Sequence, residues 1–201
     1  MITLAIETST ERGSIAICDG EKMLFNESFS AERGHSSQLF LALERALACV
    51  RCEQIVVGLG PGSYSGARIA ISAAIGVSLG TNARLLGISS LLAIETDATH
   101  FCVIGDARRQ SFYFAEIANS GFVAEPQLLS REQLAERLDA LPCPLFSSAP
   151  IAEFSAAQIA FPSAEKLARL ALAQRGIVAR DQLEPLYLRE PHITAARKIQ
   201  S

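Results

Sequence analysis

A glycine-rich motif is the stretch of this sequence that most resembles a ligand-binding loop. It occupies residues 58–69, GLGPGSYSGARI, between a short apolar run and a longer helical pattern. Free backbone amides at the start of a helix can bind an anion such as phosphate. The motif matches none of three known loops. Ser63 replaces the last glycine of the dinucleotide-binding pattern, and Ala67 replaces the lysine of the nucleoside triphosphatase loop. Neither Ser63 nor Ser65 has the flanking glycines of a nucleophile elbow. The alternative is a tight strand-to-helix turn capped by Ser65.

Glu7 and the hydroxyl residues after it form a second candidate site. Glu7 closes the first apolar run and is followed by Thr8, Ser9 and Thr10. A carboxylate there could hold a metal-bound water, and the hydroxyls could hold phosphate. The alternative, which we favour, is a turn whose hydroxyls bond backbone amides. We predict no catalytic residue, and Glu7, Thr8 and Ser9 are weak candidates for cofactor binding.

Composition restricts the class of function. The chain has 201 residues and a net charge of −3, which argues against a protein whose main task is to grip nucleic acid, since phosphate binding needs a basic surface. The five cysteines are scattered, and no secretory leader is readable. The longest apolar run, residues 69–79, is far shorter than the ~20 residues that span a bilayer. We therefore expect a soluble, cytoplasmic protein with reduced thiols and no membrane association.

The hydrophobic pattern predicts two similar halves. In the first, strands at 2–7, 14–18 and 22–29, a helix at 37–50, a strand at 55–59, a helix at 65–79 and a strand at 84–88 give the order βββαβαβ, typical of a mixed sheet with crossover helices. In the second, strands at 101–106, 111–117 and 122–128 precede a helix at 131–138, a short strand at 144–147 and a helix at 164–174.

The two halves correspond at a constant offset of about a hundred residues, which pairs Ile6 with Ile104 and Gly13 with Ser111. This offset indicates an internal duplication of a βββα unit, and chance similarity between two strand-rich stretches is the alternative. We place an N-terminal, partner-binding lobe at residues 1–98 and a smaller C-terminal lobe at residues 99–201.

Five segments resemble a known family. They are LAIETS at residues 4–9, RGHS at 33–36, the glycine-rich motif at 58–69, DARR at 106–109 and EPLYLR at 184–189. In this order they resemble the TsaB (YeaZ) family, whose signature is the glycine-proline-glycine-serine loop, and they cover nearly the whole chain. Tyr64, Ser65 and Ala67 are mild departures from the commoner spellings of that loop and leave its turn intact.

The resemblance implies a two-lobed α/β fold of the actin-like and sugar-kinase-like superfamily (ASKHA, ribonuclease H-like). It also implies a non-catalytic scaffold or activator that binds TsaD, the catalytic paralogue that forms N6-threonylcarbamoyladenosine at position 37 of tRNA. The small ATPase TsaE joins the assembly, and a separate enzyme supplies threonylcarbamoyl-AMP. The chain would form a homodimer when alone, contact tRNA only indirectly, and have no cofactor of its own, with ATP or ADP near the interface with its partner.

A metal site is not expected. The catalytic paralogue binds its metal through two histidines four residues apart, whereas here Leu39 stands four residues after His35. His100 and His192 lie far along the chain, and metal sites need three or four well-spaced ligands. Cys49 and Cys52 end a predicted helix, where a redox pair would not be activated, so we interpret them as incidental.

Two helix faces are predicted to bind the partner. Opposite its core residues, the first helix carries Ser37, Leu41, Glu44, Arg45 and Ala48, and the second exposes Arg68, Ser72, Ile75 and Gly76. The exposed Leu41 fits an interface better than open solvent, and the nearly apolar second helix implies contact on both sides. Two such helices from each subunit would form a four-helix contact. A large monomer that buries both sides internally is the alternative.

Two rival functions are kept for comparison. An ATP-dependent kinase-like enzyme of the same superfamily would hydrolyse ATP and depend on Glu7. A metal-dependent peptidase would retain metal and cleave casein, although the histidine spacing speaks against it.

Overall fold

The computed structural model describes residues 1–30, 35–48 and 50–188 of the chain. The first half consists of β1 (Ile2–Glu7), β2 (Arg12–Asp19), β3 (Lys22–Ser30), α1 (His35–Leu47), β4 (Gln54–Gly58), α2 (Tyr64–Thr81) and β5 (Arg84–Ile88). The second half consists of β6 (His100–Asp106), β7 (Ser111–Ala118), β8 (Gly121–Phe122), β9 (Gln127–Ser130), α3 (Arg131–Asp139), β10 (Leu145–Ser147), β11 (Gln158–Ile159), α4 (Ala164–Leu172) and β12 (Ile177–Arg180). Short 3-10 helices cover Ser90–Ala93 and Ala152–Phe154.

The strands form two mixed sheets with matching topology. The first has the order β12-β5-β4-β1-β2-β3, in which β1 is antiparallel to β2 and parallel to β4. The second has the order β11-β10-β6-β7-β8, with β9 also paired to β7, and β6 is antiparallel to β7 and parallel to β10. The central strand of each sheet therefore has the same neighbours in the same orientations, which confirms the predicted duplication.

The first sheet is covered on both faces because its central strands are apolar on both faces. Leu4 and Ile6 of β1 pack in a cluster with α1 and α2, whereas Ala5, between them, packs in a second cluster with α4. Successive side chains of a strand point to opposite faces, so this split is the direct result of a continuous apolar run. The cluster around Ala5 also contains Phe101 and Val103 of β6 and so joins the two lobes.

The end of the described chain returns to the first sheet, which corrects the predicted lobe boundary. Helix α4 packs on β1, β2 and β4, and β12 pairs antiparallel with β5. The backbone amide of Ala164, at the start of α4, donates to the buried Ser14 Oγ at 2.9 Å. Residues 164–180 thus belong with the first sheet and not with a separate lobe at 99–201, because their apolar side chains cover the face that α1 and α2 leave open.

Several element boundaries also differ from the predictions. The strand expected at residues 122–128 is divided into β8 and β9, which pair with different parts of β7. Helix α1 covers His35–Leu47, so it begins two residues before and ends three residues before the predicted range of 37–50. Strands β11 and β12 were not expected, since each is short and weakly patterned. Within the described ranges, no helix combines the length and the hydropathy needed to cross a membrane.

Candidate functional site

Glu7 is a buried structural group at the end of β1. Its side chain is fully enclosed, and its Oε1 accepts a hydrogen bond from the backbone amide of Ser9 at 2.6 Å. Its Oε2 accepts from Ser90 Oγ at 2.7 Å, and the same Ser90 hydroxyl accepts from the amide of Gly60 at 3.0 Å. Burial raises the pKa of the Glu7 carboxyl, and the hydrogen bonds from Ser9 and Ser90 oppose that shift. Both carboxyl oxygens therefore bind the fold's own donors, with neither left to hold a metal-bound water.

The glycine-rich loop packs directly on the turn that follows Glu7. The amide of Ser63 donates to the carbonyl of Ser9 at 2.6 Å, and the Thr8 hydroxyl donates to the carbonyl of Gly66 at 2.8 Å. A Cβ atom added at Gly62 would collide with the Ser9 carbonyl, and one at Gly66 with the Thr8 carbonyl. The glycines are thus needed for backbone-to-backbone contact, and the Thr8 hydroxyl bonds a carbonyl rather than the amide that the turn interpretation expected.

The start of α2 is capped by the chain itself. Ser63, rather than the predicted Ser65, is the cap, and its hydroxyl accepts a hydrogen bond from the amide of Gly66 at 3.1 Å. The predicted position fails because the helix begins at Tyr64, one residue before the predicted start, so that Ser65 lies inside its first turn. The loop also contains a cis peptide bond between Gly60 and Pro61. Part of the amide cluster that could bind an anion is therefore already occupied.

A cleft of about 560 Å³ lies between the two lobes, where β1 and β6 end. Its charged lining residues are Glu11, Asp106 and Arg108. Asp106 is the counterpart of Glu7 in the second repeat, but it is exposed and accepts a hydrogen bond from the amide of Arg108 at 2.6 Å. Ser9 also lines the cleft, and among the described residues no group lies in hydrogen-bond geometry with its buried hydroxyl. Glu7, the weak candidate for cofactor binding, thus lies beneath the cleft and not in its lining.

The residues considered for metal binding are dispersed. Within residues 1–30, 35–48 and 50–188, no three His, Cys, Asp or Glu side chains converge in a way that could hold an ion. His100 Nε2 lies 3.0 Å from Glu116 Oε1 at one end of β6. The side chain of His35, and the whole of Cys49 and His192, lie outside the described residues.

Helices α1 and α2 form an exposed apolar surface. Between them lies a groove of about 430 Å³ lined by Phe40, Leu43, Glu44, Leu47, Ser72, Ala73, Gly76 and Val77. Large apolar side chains on the same two helices are exposed, with Phe40 at 54%, Leu41 at 47%, Ile75 at 39% and Leu79 at 80%. We call the groove and these four side chains the α1–α2 face. Such a concentration of exposed apolar groups is typical of a protein–protein interaction site.

The predicted partner-binding residues are all exposed, but they do not all lie in the groove. The set is Ser37, Leu41, Glu44, Arg45, Ala48, Arg68, Ser72, Ile75 and Gly76. Glu44, Ser72 and Gly76 line the groove itself. Arg45 instead forms an ion pair with Glu27 on β3, and Arg68 donates to Tyr64 Oη at 2.8 Å.

Phe40 is the main residue of this surface that the sequence interpretation missed. It lies one helical turn before Glu44, so the spacing already placed it on the same side of α1. Its side chain is 54% exposed and lines the groove.

The two duplicated sheets and the cleft between them define a two-lobed mixed α/β protein. Over residues 29–181 the chain matches the family model described as TsaD: tRNA N6-adenosine threonylcarbamoyltransferase. The chain belongs to the family that this model describes.

The chain is also similar to two curated relatives and one solved structure. The tRNA threonylcarbamoyladenosine biosynthesis protein TsaB of Haemophilus influenzae is 26% identical over an alignment of 220 positions, which covers 92% of each chain. The protein of the same name from Escherichia coli is 30% identical over 128 residues, 58% of this chain and 54% of that one. The structure of YeaZ from Pseudomonas aeruginosa has a TM-score of 0.72 at 23% identity, over 93% of this chain and 99% of that one, and shows the same fold.

Proposed function

We propose that this chain is a non-catalytic scaffold or activator subunit that binds TsaD in the assembly forming N6-threonylcarbamoyladenosine at position 37 of tRNA. The names of its curated relatives support the pathway, and the family model supports a structural kinship between this chain and its partner. Kinship matters physically, because two chains of one fold can present similar helix pairs to each other.

The observation that carries the proposal is the α1–α2 face. Its groove is almost entirely apolar and is lined in part by the exposed Phe40. Leu41, Ile75 and Leu79 are further exposed apolar side chains on the same two helices. Covering such side chains stabilises a complex by ~25 cal/mol per Å² of apolar surface removed from water, before the entropic cost of association. The small residues Ala73 and Gly76 allow a partner helix to approach α2 closely.

The non-catalytic part of the proposal is supported by the position of Glu7. An active phosphotransferase needs an acidic side chain open to the cleft, whereas Glu7 is enclosed and has donors on both oxygens. The rival function of an ATP-dependent kinase-like enzyme would have to use Asp106 or Glu11 instead.

The proposal also covers a second copy of this chain, nucleotide, TsaE and tRNA. A helix pair that binds TsaD can also bind a second copy of this chain, so homodimer and heterodimer would compete for one surface. We assign no cofactor to the chain itself and place ATP or ADP near its boundary with the partner. TsaE and tRNA would reach the chain through the assembly, since its net charge of −3 does not favour direct contact with RNA.

Co-purification with TsaD tests the proposal. Phe40→Asp and Leu41→Asp should each abolish co-purification, because a carboxylate in a desolvated contact is left without a partner charge. The matched control is Val123→Asp, since Val123 is 54% exposed and follows β8 in the second sheet. Recovery of TsaD at full yield with Phe40→Asp, or equal loss with Val123→Asp, would exclude this face as the docking surface.

A further inference from the structure

Two cysteines of the second lobe have their sulfur atoms in contact. Cys102 Sγ, on β6, lies 3.1 Å from Cys143 Sγ, in the segment between α3 and β10. This separation is about 1 Å longer than the ~2.05 Å of a disulfide bond and shorter than an ordinary sulfur–sulfur contact. Among the cysteines of the described residues, Cys18 and Cys52 have no such neighbour.

The backbones that carry these sulfurs are already held side by side. The amide of Cys102 donates to the carbonyl of Pro144 at 2.8 Å, and Cys102 is the register partner of Leu145 in the parallel pairing of β6 and β10. Cys143 lies two residues before Leu145, so this pairing holds its segment alongside β6, and the 3.1 Å between the two sulfurs shows that the side chains already point at each other. Closing the bond therefore needs a small side-chain movement and no change of fold.

We propose that Cys102 and Cys143 form a reversible disulfide that fastens the segment before β10 to the central strand of the second sheet. The two cysteines differ in solvent exposure: Cys102 is 1% exposed, whereas Cys143 is half-buried and accessible to a reagent. Burial, the adjacent Cys143 and the charge of Glu116 raise the pKa of the Cys102 thiol, so Cys143 is the sulfur that reacts first.

The oxidant is a low-molecular-weight disulfide such as glutathione disulfide. The Cys143 thiolate attacks one sulfur of the oxidant, its S–S bond breaks, and one glutathione leaves and takes up the proton released by Cys143. Cys102 then attacks the Cys143 sulfur of this mixed disulfide, loses its own proton, and expels the second glutathione as a thiol. Two protein thiols are oxidised by two electrons in all, and one glutathione disulfide is reduced to two glutathione molecules.

Oxidation of the full chain tests this inference independently of partner binding. The native protein is incubated with glutathione disulfide, its remaining thiols are alkylated, and the digest is analysed by mass spectrometry. We expect a cross-linked peptide joining Cys102 to Cys143, lighter by two hydrogen atoms than the reduced pair. The closed loop should raise Tm by about 5–15 °C, and dithiothreitol should reverse both changes.

Two variants serve as controls for the cross-linked peptide and for the change in Tm. Cys143→Ser should lose the cross-linked peptide and the rise in Tm, whereas Cys18→Ser, on β2, should keep both. The inference is overturned if Cys102 and Cys143 are both alkylated after oxidation, if Cys143 stops at the glutathione adduct, or if oxidised Cys143→Ser gains the same Tm as wild type.

Discussion

The hydroxyl of Ser90 donates a 2.7 Å hydrogen bond to the carboxylate of Glu7 and, at the same atom, accepts a 3.0 Å hydrogen bond from the amide of Gly60. One hydroxyl thereby connects the end of β1, the glycine-rich loop and the segment after β5. Glu7, which could have served the interlobe cleft, instead helps to hold the loop at the start of α2 in place.

The pH dependence of stability should report this burial. The pKa of Glu7 is raised in the fold, so its stabilising contribution is full below the unfolded pKa and is lost as pH rises through the folded pKa. The free energy of unfolding of wild type, minus that of Glu7→Gln, should therefore fall as pH rises over the range above 4.5, the ordinary pKa of a glutamate carboxyl. Urea titrations across that range measure the difference, with Glu21→Gln on the β2–β3 turn as a correction for net charge. A difference that stays constant or increases with pH would contradict the burial of this carboxyl.

The glycines of α2 should respond in opposite directions to the same substitution. Gly66→Ala should destabilise by about 1–3 kcal/mol, because its methyl group would collide with the Thr8 carbonyl. Gly80→Ala, on the same helix with nothing within 4 Å, should stabilise by about 0.5–1 kcal/mol through helix propensity. Urea unfolding of the two variants checks the contrast, and equal stabilities would mean that the loop does not pack on the turn as described.

Much of the fold was predictable because it depends on local pattern. The apolar runs indicated the strands β1 and β4 and a mixed sheet, and the repeat offset predicted two matching halves. Strands β11 and β12 were missed because each has four residues or fewer and is stabilised by its neighbour rather than by its own pattern. The return of α4 to the first sheet depends on which face is left uncovered, and that information is tertiary.

The site was predictable to a lesser degree. The residues of the predicted helix faces are exposed, yet spacing alone could not show that Arg45 pairs with Glu27 on β3. Nor could it show that Ser90, distant in sequence, completes the hydrogen bonding of Glu7. The contact of the Thr8 hydroxyl with the Gly66 carbonyl was not anticipated, since the turn interpretation expected a bond to an amide. The cleft depends on the arrangement of both lobes.

Gly76 offers a way to separate docking from folding. It lines the α1–α2 groove, and nothing lies within 4 Å of a Cβ atom at this position. Gly76→Leu should keep or raise the Tm, since leucine favours a helix by about 1 kcal/mol over glycine, while its side chain fills the groove. We expect at least a tenfold loss of TsaD affinity for Gly76→Leu and a smaller loss for Gly76→Ala, measured by titration calorimetry. Unchanged affinity in Gly76→Leu would place the partner elsewhere.

Reconstitution of the tRNA modification tests the central claim most directly. TsaD, TsaE, tRNA and threonylcarbamoyl-AMP are combined with the wild-type chain, with Phe40→Asp, with Glu7→Gln, or with no copy of the chain. N6-threonylcarbamoyladenosine is quantified after digestion of the tRNA to nucleosides. The scaffold account predicts modification with the wild-type chain and with Glu7→Gln, and its loss both with Phe40→Asp and when the chain is omitted. Equal modification in the absence of the chain would contradict it.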